Sequence, residues 1–150
     1  MTMRDRALLL DTTVLLSATD DTRKGHGIAR ALITSDRDFA MSTQTMREFI
    51  ATATRPLTAN GFEMAMDDAL DNLARFRARI GLLLIEDDRW LVAWMDVLAR
   101  LRPAGRSLYD AGQVAHAKVS RRTLVTDDAR MVERYRSEVA VITLDDWARG

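Results

Sequence analysis

Apolar positions along the chain fall into short continuous runs separated by longer stretches with helical spacing. Runs at residues 8–16, 80–85, 123–126 and 139–144, with a β-compatible run at 39–42, have the length and composition of buried strands. Between these runs, apolar residues recur every three or four positions, as they do in amphipathic helices. The alternation predicts an α/β domain: a central parallel sheet of about four to five strands with helices on both faces.

Proline and glycine punctuate the stretches with helical spacing. Six helices are predicted. The first starts at residue 28, the second covers 46–53 and ends before Pro56, and the third covers 62–80. The fourth covers 90–101 and ends before Pro103, the fifth runs from 107 toward 119, and the sixth covers 129–132. A chain of 150 residues has the size of one ordinary domain. We therefore expect residues 1–150 to form a single domain.

Charge and cysteine content narrow the classes of function. Lys plus Arg and Asp plus Glu each number 22, so the net charge is zero and gives no general attraction to nucleic acid or to anionic membranes. Any contact with nucleic acid must therefore be local. The absence of cysteine excludes disulfides, thiolate metal sites and cysteine nucleophiles, and no segment approaches about 18 consecutive apolar residues. We expect a cytoplasmic protein without a membrane partner.

One carboxylate, Asp11, interrupts the first apolar run. An ionised side chain is tolerated in a buried strand only at an end, where a partner can compensate its charge. In open α/β sheets the carboxyl ends of the strands border the crevice where ligands bind. Asp11 is therefore the first candidate for a site residue.

Further acids are expected near the same edge of the sheet. Asp127 and Asp128 directly follow the run at 123–126, Glu48 lies close to the apolar stripe of its helix, and Asp110 lies near a helix start. Carboxylates that are brought together repel one another unless a cation neutralises them. Hard oxygen ligands, without thiols or a histidine pair, favour Mg²⁺ or Mn²⁺. Such a site is suited in outline to phosphodiester hydrolysis.

Each acid also has a purely structural interpretation. Thr45 and Glu48 have the Thr-x-x-Glu spacing of a capping box. Asp127 or Asp128 could cap the helix that follows, and the helix dipole alone could favour Asp110. Independent capping does not, however, predict four acids at one edge of a sheet. We therefore retain the joint metal site as the main hypothesis.

The acid-bearing segments, in chain order, resemble the motifs of the PIN-domain ribonucleases, in particular the VapC-type toxins of bacterial toxin–antitoxin pairs. Residues 11–16 resemble the opening Asp-Thr-Asn/Ser-Val-Leu motif, with Thr13 where Asn or Ser is usual. Residues 42–56, 109–111 and 124–128 resemble the second, third and fourth acidic segments. The resemblance covers essentially the whole chain.

This resemblance implies a divalent-metal-dependent endoribonuclease that cleaves RNA with one or two Mg²⁺ or Mn²⁺ ions. It further implies a cognate antitoxin, which in this family inserts a segment across the active site, and a homodimer. The implied catalytic acids and metal ligands are Asp11, Glu48, Asp110 and Asp128, with Asp127 as the alternative fourth ligand and the hydroxyls of Thr12, Thr13 and Thr126 in support.

Binding of RNA beside an acidic site requires local positive charge. The candidates are Arg102 and Arg106, just before Asp110, and Arg121 beyond it. Two other functions compete with the nuclease. One is a non-catalytic PIN-like module that binds RNA or protein; the other is a phosphatase of the haloacid dehalogenase type, which needs a second Asp where Thr13 stands.

Overall fold

A five-stranded sheet forms the centre of the protein, in a computed structural model that describes residues 6–150. All neighbouring strands are parallel, and their order across the sheet is β3-β2-β1-β4-β5. The predicted α/β architecture is thereby confirmed. The strands are β1 (Leu8–Leu10), β2 (Phe39–Ser42), β3 (Leu82–Leu84), β4 (Thr123–Thr126) and β5 (Val141–Thr143).

Helices pack on both faces of the sheet. Along β1, Leu8 and Leu10 belong to one apolar cluster and Leu9 to the other, because successive side chains of a strand point to opposite faces. Burial on both faces explains why the strand is apolar at every position. The helices are α1 (Thr12–Thr19), α2 (His26–Thr34), α3 (Thr43–Thr54), α4 (Met66–Arg79), α5 (Asp88–Leu101), α6 (Ser107–Ser120), α7 (Ala129–Tyr135) and α8 (Leu144–Arg149).

The first apolar run contains two elements, not one strand. β1 ends at Leu10, Asp11 is the N-cap residue of α1, and that helix begins at Thr12. Val14 and Leu15 are fully buried on the helix. Periodicity alone cannot separate a short buried strand from a buried helix, and this is why residues 8–16 were predicted as one element.

The helix predicted at 62–80 begins four residues late, at Met66. The backbone N–H groups of residues 62–64 donate to carbonyl oxygens within residues 52–55, at 2.8 to 3.0 Å, and Glu63 has a left-handed φ of 54°. These hydrogen bonds hold the segment against the end of α3, so it cannot join the helix.

Two other predicted strands are shorter or more exposed than expected. β3 is an edge strand, and Leu82 is exposed, whereas the sequence predicts a buried strand there. The last strand ends at Thr143, whose side chain forms a capping box with Asp146 and starts α8. The cap therefore diverts residue 144 from the predicted strand into a helix.

Across residues 6–150, no helix is both long enough and apolar enough to cross a membrane.

Candidate functional site

The carboxyl edge of the sheet is where three central strands turn directly into helices. β1, β2 and β4 are followed by α1, α3 and α7, whose N-cap residues are Asp11, Ser42 and Asp128. α6 contributes Asp110, which lies in its first turn. Helix N-termini favour nearby negative charge, so this edge tolerates carboxylates that the sheet interior would exclude.

Asp11 lies at the buried base of the site. Its Oδ2 atom accepts hydrogen bonds from the hydroxyls of Thr13 and Thr126, each at 2.9 Å. Burial raises the pKa of the Asp11 carboxyl, and the two threonine hydroxyls oppose that rise. Among the salt bridges of residues 6–150, none involves Asp11. Its charge is therefore balanced by hydroxyl dipoles and by no cation in the described part of the chain.

Glu48 approaches the site from α3. Its Oε2 accepts a hydrogen bond from Thr12 Oγ1 at 2.8 Å, and its Oε1 accepts one from Gln44 Nε2 at 2.7 Å. The capping-box interpretation of Thr45 and Glu48 is wrong, because the N-cap of α3 is Ser42, whose hydroxyl accepts from the backbone N–H of Thr45. Glu48 is thus free of a capping role.

The pKa of Asp110 is shifted by the charges of the other acids. Burial, followed by the charge of Asp11, raises the pKa of the Asp110 carboxyl to about 6. Asp128 and Glu48 also raise it, whereas Arg134 lowers it. The four acids implied by the resemblance are therefore within electrostatic reach of one another.

The two acids after β4 have different surroundings. Asp128 caps α7 through the backbone N–H of Arg130 and pairs with the side chain of Arg130 at 3.1 Å. Partial burial acts to raise the pKa of Asp128, but the Arg130 contacts outweigh it and the pKa falls below its usual value. Asp127 instead accepts a hydrogen bond from Ser17 at 2.5 Å, whereas Asp128 contributes to the raised pKa of Asp110. The electrostatics thus favour Asp128 over Asp127 as a member of the acidic group.

The three predicted supporting threonines all contact the acid-bearing segments. Thr12 donates to Glu48, and both Thr13 and Thr126 donate to Asp11. The hydroxyl of Thr13 also accepts the backbone N–H of Asp127 at 2.8 Å. Thr13 therefore supplies a hydrogen-bond donor where Asn or Ser is usual in the family that the sequence resembles.

The predicted arginines separate into two groups. Arg102 ends α5 and Arg106 is the N-cap residue of α6, about one turn before Asp110, and both are exposed. Arg121 ends α6 and precedes β4, so it lies at the amino edge of the sheet, opposite the acids. The structure does not bring Arg121 to the site, because α6 carries the chain back across the sheet before the strand begins.

Two arginines that the sequence analysis missed stand beside the acids. Arg134 Nη1 lies 3.6 Å from Asp110 Oδ2, and Arg130 pairs with Asp128. Both are exposed and lie four residues apart on α7. The sequence signal for them was two arginines four positions apart on the helix that directly follows Asp128 at the end of β4.

The donor set agrees with a hard divalent cation. In residues 6–150, no three His, Asp or Glu side chains converge into a complete ligand cluster. Mg²⁺ nevertheless binds through one or two carboxylates and keeps several waters. Asp11, buried without a cationic partner, and Asp110, with its raised pKa, are carboxylates that such an ion would stabilise in their charged forms.

Comparisons with known proteins agree on one family and one fold. The sequence profile of the PIN domain matches residues 8–137. No curated protein sequence matches the chain.

Several solved structures share the fold over nearly the whole chain. A DNA-bound VapBC from Salmonella typhimurium is 22% identical with a TM-score of 0.70, covering 93% of this chain and 98% of that chain. FitAcB from Neisseria gonorrhoeae is 20% identical with a TM-score of 0.70, covering 91% and 97%. VapC20 from Mycobacterium tuberculosis, described as a sarcin-ricin loop cleaving toxin, is 14% identical with a TM-score of 0.66, covering 85% and 94%.

Proposed function

The chain belongs to the PIN domain family, and from this premise we propose that it is a divalent-metal-dependent endoribonuclease, the toxin of a type II toxin–antitoxin pair. One observation carries the proposal: Asp11, Glu48, Asp110 and Asp128 stand on helices that begin at one edge of the sheet, and burial together with the other three acids raises the pKa of the Asp110 carboxyl to about 6. Acids grouped in this way destabilise one another unless a cation joins them, and this is the electrostatic arrangement of a metal site.

In this proposal Asp11, Glu48, Asp110 and Asp128 form the acidic group that would hold Mg²⁺ or Mn²⁺, directly or through waters on the ion. A divalent ion held by these acids would supply Lewis-acid chemistry, making a water more acidic and stabilising negative charge on the phosphate. The chain itself supplies orientation. Thr13 and Thr126 fix one oxygen of Asp11, and Thr12 fixes one oxygen of Glu48. Hydrogen bonds to metal-ligating side chains of this kind set their direction before the ion arrives.

The direct test is cleavage of RNA by the purified chain, with and without Mg²⁺ or Mn²⁺. We expect cleavage only with the metal, and loss of cleavage in Asp11→Asn and Asp110→Asn. Comparing Asp127→Asn with Asp128→Asn identifies the fourth ligand, and we expect only the second to be inactive. Metal-independent cleavage, or full activity of both Asp11→Asn and Asp110→Asn, would contradict the proposal.

RNA contact is proposed for Arg102 and Arg106, because both are exposed and Arg106 begins the helix that carries Asp110. Reversing both to Glu should weaken RNA binding and flatten its dependence on salt, because each lost phosphate contact lowers the slope. Arg121→Glu, at the opposite edge of the sheet, is the control for each of the single variants Arg102→Glu and Arg106→Glu, since each of the three reverses one charge. An unchanged slope in the double variant would rule out Arg102 and Arg106.

Two protein partners are part of the proposal: a cognate antitoxin and a second copy of the chain. Support for the antitoxin comes from the shared fold with chains of VapBC and FitAcB. For the homodimer, α5 offers exposed apolar side chains at Leu91, Val92 and Met95, whose spacing places them on one face of the helix. Sedimentation of the purified chain tests the dimer, and a small DNA-binding protein encoded directly upstream would identify the antitoxin. A cytoplasmic location stays a prediction of the sequence.

A non-catalytic PIN-like module that binds RNA or protein is the second candidate, and one observation favours it. Arg134 and Arg130 already pair with Asp110 and Asp128, so arginine neutralises part of the acidic charge within the chain. The cleavage assay separates the two candidates. Binding of RNA without cleavage in the presence of either metal would favour the module.

A further inference from the structure

We propose that Gln44 is a positioning residue that fixes the carboxylate of Glu48 relative to Asp110, an inference that rests on the proposed nuclease function. Gln44 is buried on α3, one turn before Glu48. Its Nε2 donates one hydrogen bond to Glu48 Oε1 at 2.7 Å and another to the backbone carbonyl of Tyr109 at 2.8 Å. Tyr109 directly precedes Asp110, so one amide group joins the two acid-bearing helices.

The other end of the same amide lies against Gly112. A Cβ atom at Gly112 would stand 2.6 Å from Gln44 Oε1, closer than non-bonded atoms approach, and 3.5 Å from the ring of Trp90. The missing side chain of Gly112 therefore leaves the space that the Gln44 amide occupies. Trp90, on α5, donates its indole N–H to the Gly112 carbonyl at 2.9 Å and so ties α6 to α5 at this residue.

Gln44 completes the restraint of Glu48. Thr12, on α1, already donates to Glu48 Oε2, and Gln44 donates to Oε1. With both oxygens held, the carboxylate plane is fixed before any ion binds. Without Gln44 the Oε1 atom of Glu48 loses its side-chain amide donor, and the carboxylate can rotate about the hydrogen bond from Thr12.

Gln113 provides a matched control on the same helix interface. It is also a buried glutamine; it accepts from Ser42 Oγ at 2.9 Å and donates to Thr45 Oγ1 at 2.6 Å. Neither of these partners is a carboxylate. Gln113 joins α6 to the start of α3, whereas Gln44 joins α6 to an acid of the candidate site.

The experiment compares Gln44→Leu, Gly112→Ala and Gln113→Leu in the full chain. Two quantities are measured: Mn²⁺ affinity by titration calorimetry and stability by urea unfolding without metal. Gln44→Leu should weaken Mn²⁺ binding about 10- to 100-fold, the usual effect of removing a hydrogen bond to a metal ligand. Gly112→Ala should also weaken it by displacing the amide, although alanine favours the helix. Gln113→Leu should lower stability and leave Mn²⁺ affinity unchanged.

A metal-free readout separates this inference from the proposed function. The carboxyl ¹³C resonance of Glu48 should move in Gln44→Leu and Gly112→Ala, and stay in place in Gln113→Leu. If the wild type binds no Mn²⁺, the nuclease proposal fails, while the Glu48 resonance still tests the positioning. The inference is overturned if that resonance does not move, if Gln44→Leu binds Mn²⁺ like the wild type, or if Gln113→Leu loses as much affinity.

Discussion

The two edges of the sheet differ in how their charged side chains are paired. At the amino edge, acids and bases form pairs: Arg122 lies 2.9 Å from Asp38, and Lys118 lies 3.3 Å from Glu138, which also pairs with Arg100. Arg122 additionally donates to the carbonyls of Leu8 and Asp38 at 3.2 and 3.1 Å. The charged groups of these pairs are satisfied within the chain.

At the carboxyl edge the acids outnumber the bases that contact them. Asp11 and Glu48 receive hydrogen bonds from hydroxyl and amide groups, and the cations in contact with this group in residues 6–150 are the exposed Arg130 and Arg134. Burial and mutual repulsion raise the pKa of Asp110. One edge therefore contributes to stability, whereas the other carries an excess of negative charge that a bound cation would neutralise.

The largest expected effect is on activity. Asp11→Asn should lower the rate of RNA cleavage by more than about 100-fold. Loss of a residue that only supports a metal ligand costs at most about 100-fold, and loss of a ligand itself should cost more. The metal-free variant should be at least as stable as the wild type, because a buried charge is removed. Cleavage rates and urea unfolding check both statements. Asp38→Asn, an acid of the amino edge, is the control and should cleave normally; an equal loss there would contradict the assignment.

The next effect is stabilisation by metal. Mg²⁺ at about 100 times its dissociation constant should raise the free energy of unfolding by about 2.7 kcal/mol, because it binds the folded chain alone. Urea unfolding with and without Mg²⁺ measures this gain. Asp110→Asn should lose most of it and Asp38→Asn should keep it. An equal gain in all three proteins would indicate binding elsewhere.

A smaller effect is expected at the amino edge. Arg122→Met should lower the free energy of unfolding by about 1–3 kcal/mol, because the carbonyls of Leu8 and Asp38 and the Asp38 carboxylate each lose a charged hydrogen-bond donor. Its Mn²⁺ affinity should not change. The exposed neighbour Arg121 provides the control, since Arg121→Met should stay within about 0.5 kcal/mol of the wild type. Loss of Mn²⁺ binding in Arg122→Met would show that the two edges are coupled.

The smallest effect is a dependence of metal-free stability on pH. The pKa of Asp110 is about 6 in the folded chain, above its usual 3.8, so the folded state binds more protons between these values. Stability should therefore fall as the pH rises from about 4 to about 6, by about 1 kcal/mol once solvent screening of this partly exposed group is allowed for. In Asp110→Asn, the free energy of urea unfolding should change less between these two pH values. If it changes as much as in the wild type, another group causes the pH dependence.

Much of the fold could be predicted because strand signals were local. Residues 39–42 and 123–126 form strands with the predicted bounds. The prediction was wrong where contacts outside the local segment determine the secondary structure. Residues 62–64 are bonded to the end of α3 and do not join the predicted helix, and residue 144 follows the cap at Thr143 and starts a helix instead of ending a strand. Periodicity could not divide residues 8–16 into a strand and a helix.

For the candidate site, residue type and position after a strand selected Asp11 and the pair Asp127 and Asp128, and the family resemblance supplied the preference for Asp128. They could not place Arg121, whose edge depends on the path of α6 across the sheet. Nor could they identify Gln44, because its importance lies in two hydrogen bonds, one of them to Tyr109, 65 positions away in the chain. Long-range hydrogen bonds of this kind leave no pattern in a single sequence.

The most direct measurement is the pKa of the Asp110 carboxyl, followed by ¹³C NMR in the absence and presence of saturating Mg²⁺. Without metal we expect a pKa of about 6, from burial and the neighbouring acids. With Mg²⁺ the pKa should fall well below its usual 3.8, because the cation stabilises the carboxylate. A pKa that stays near 6 at Mg²⁺ concentrations that support RNA cleavage would contradict a metal site at this edge of the sheet.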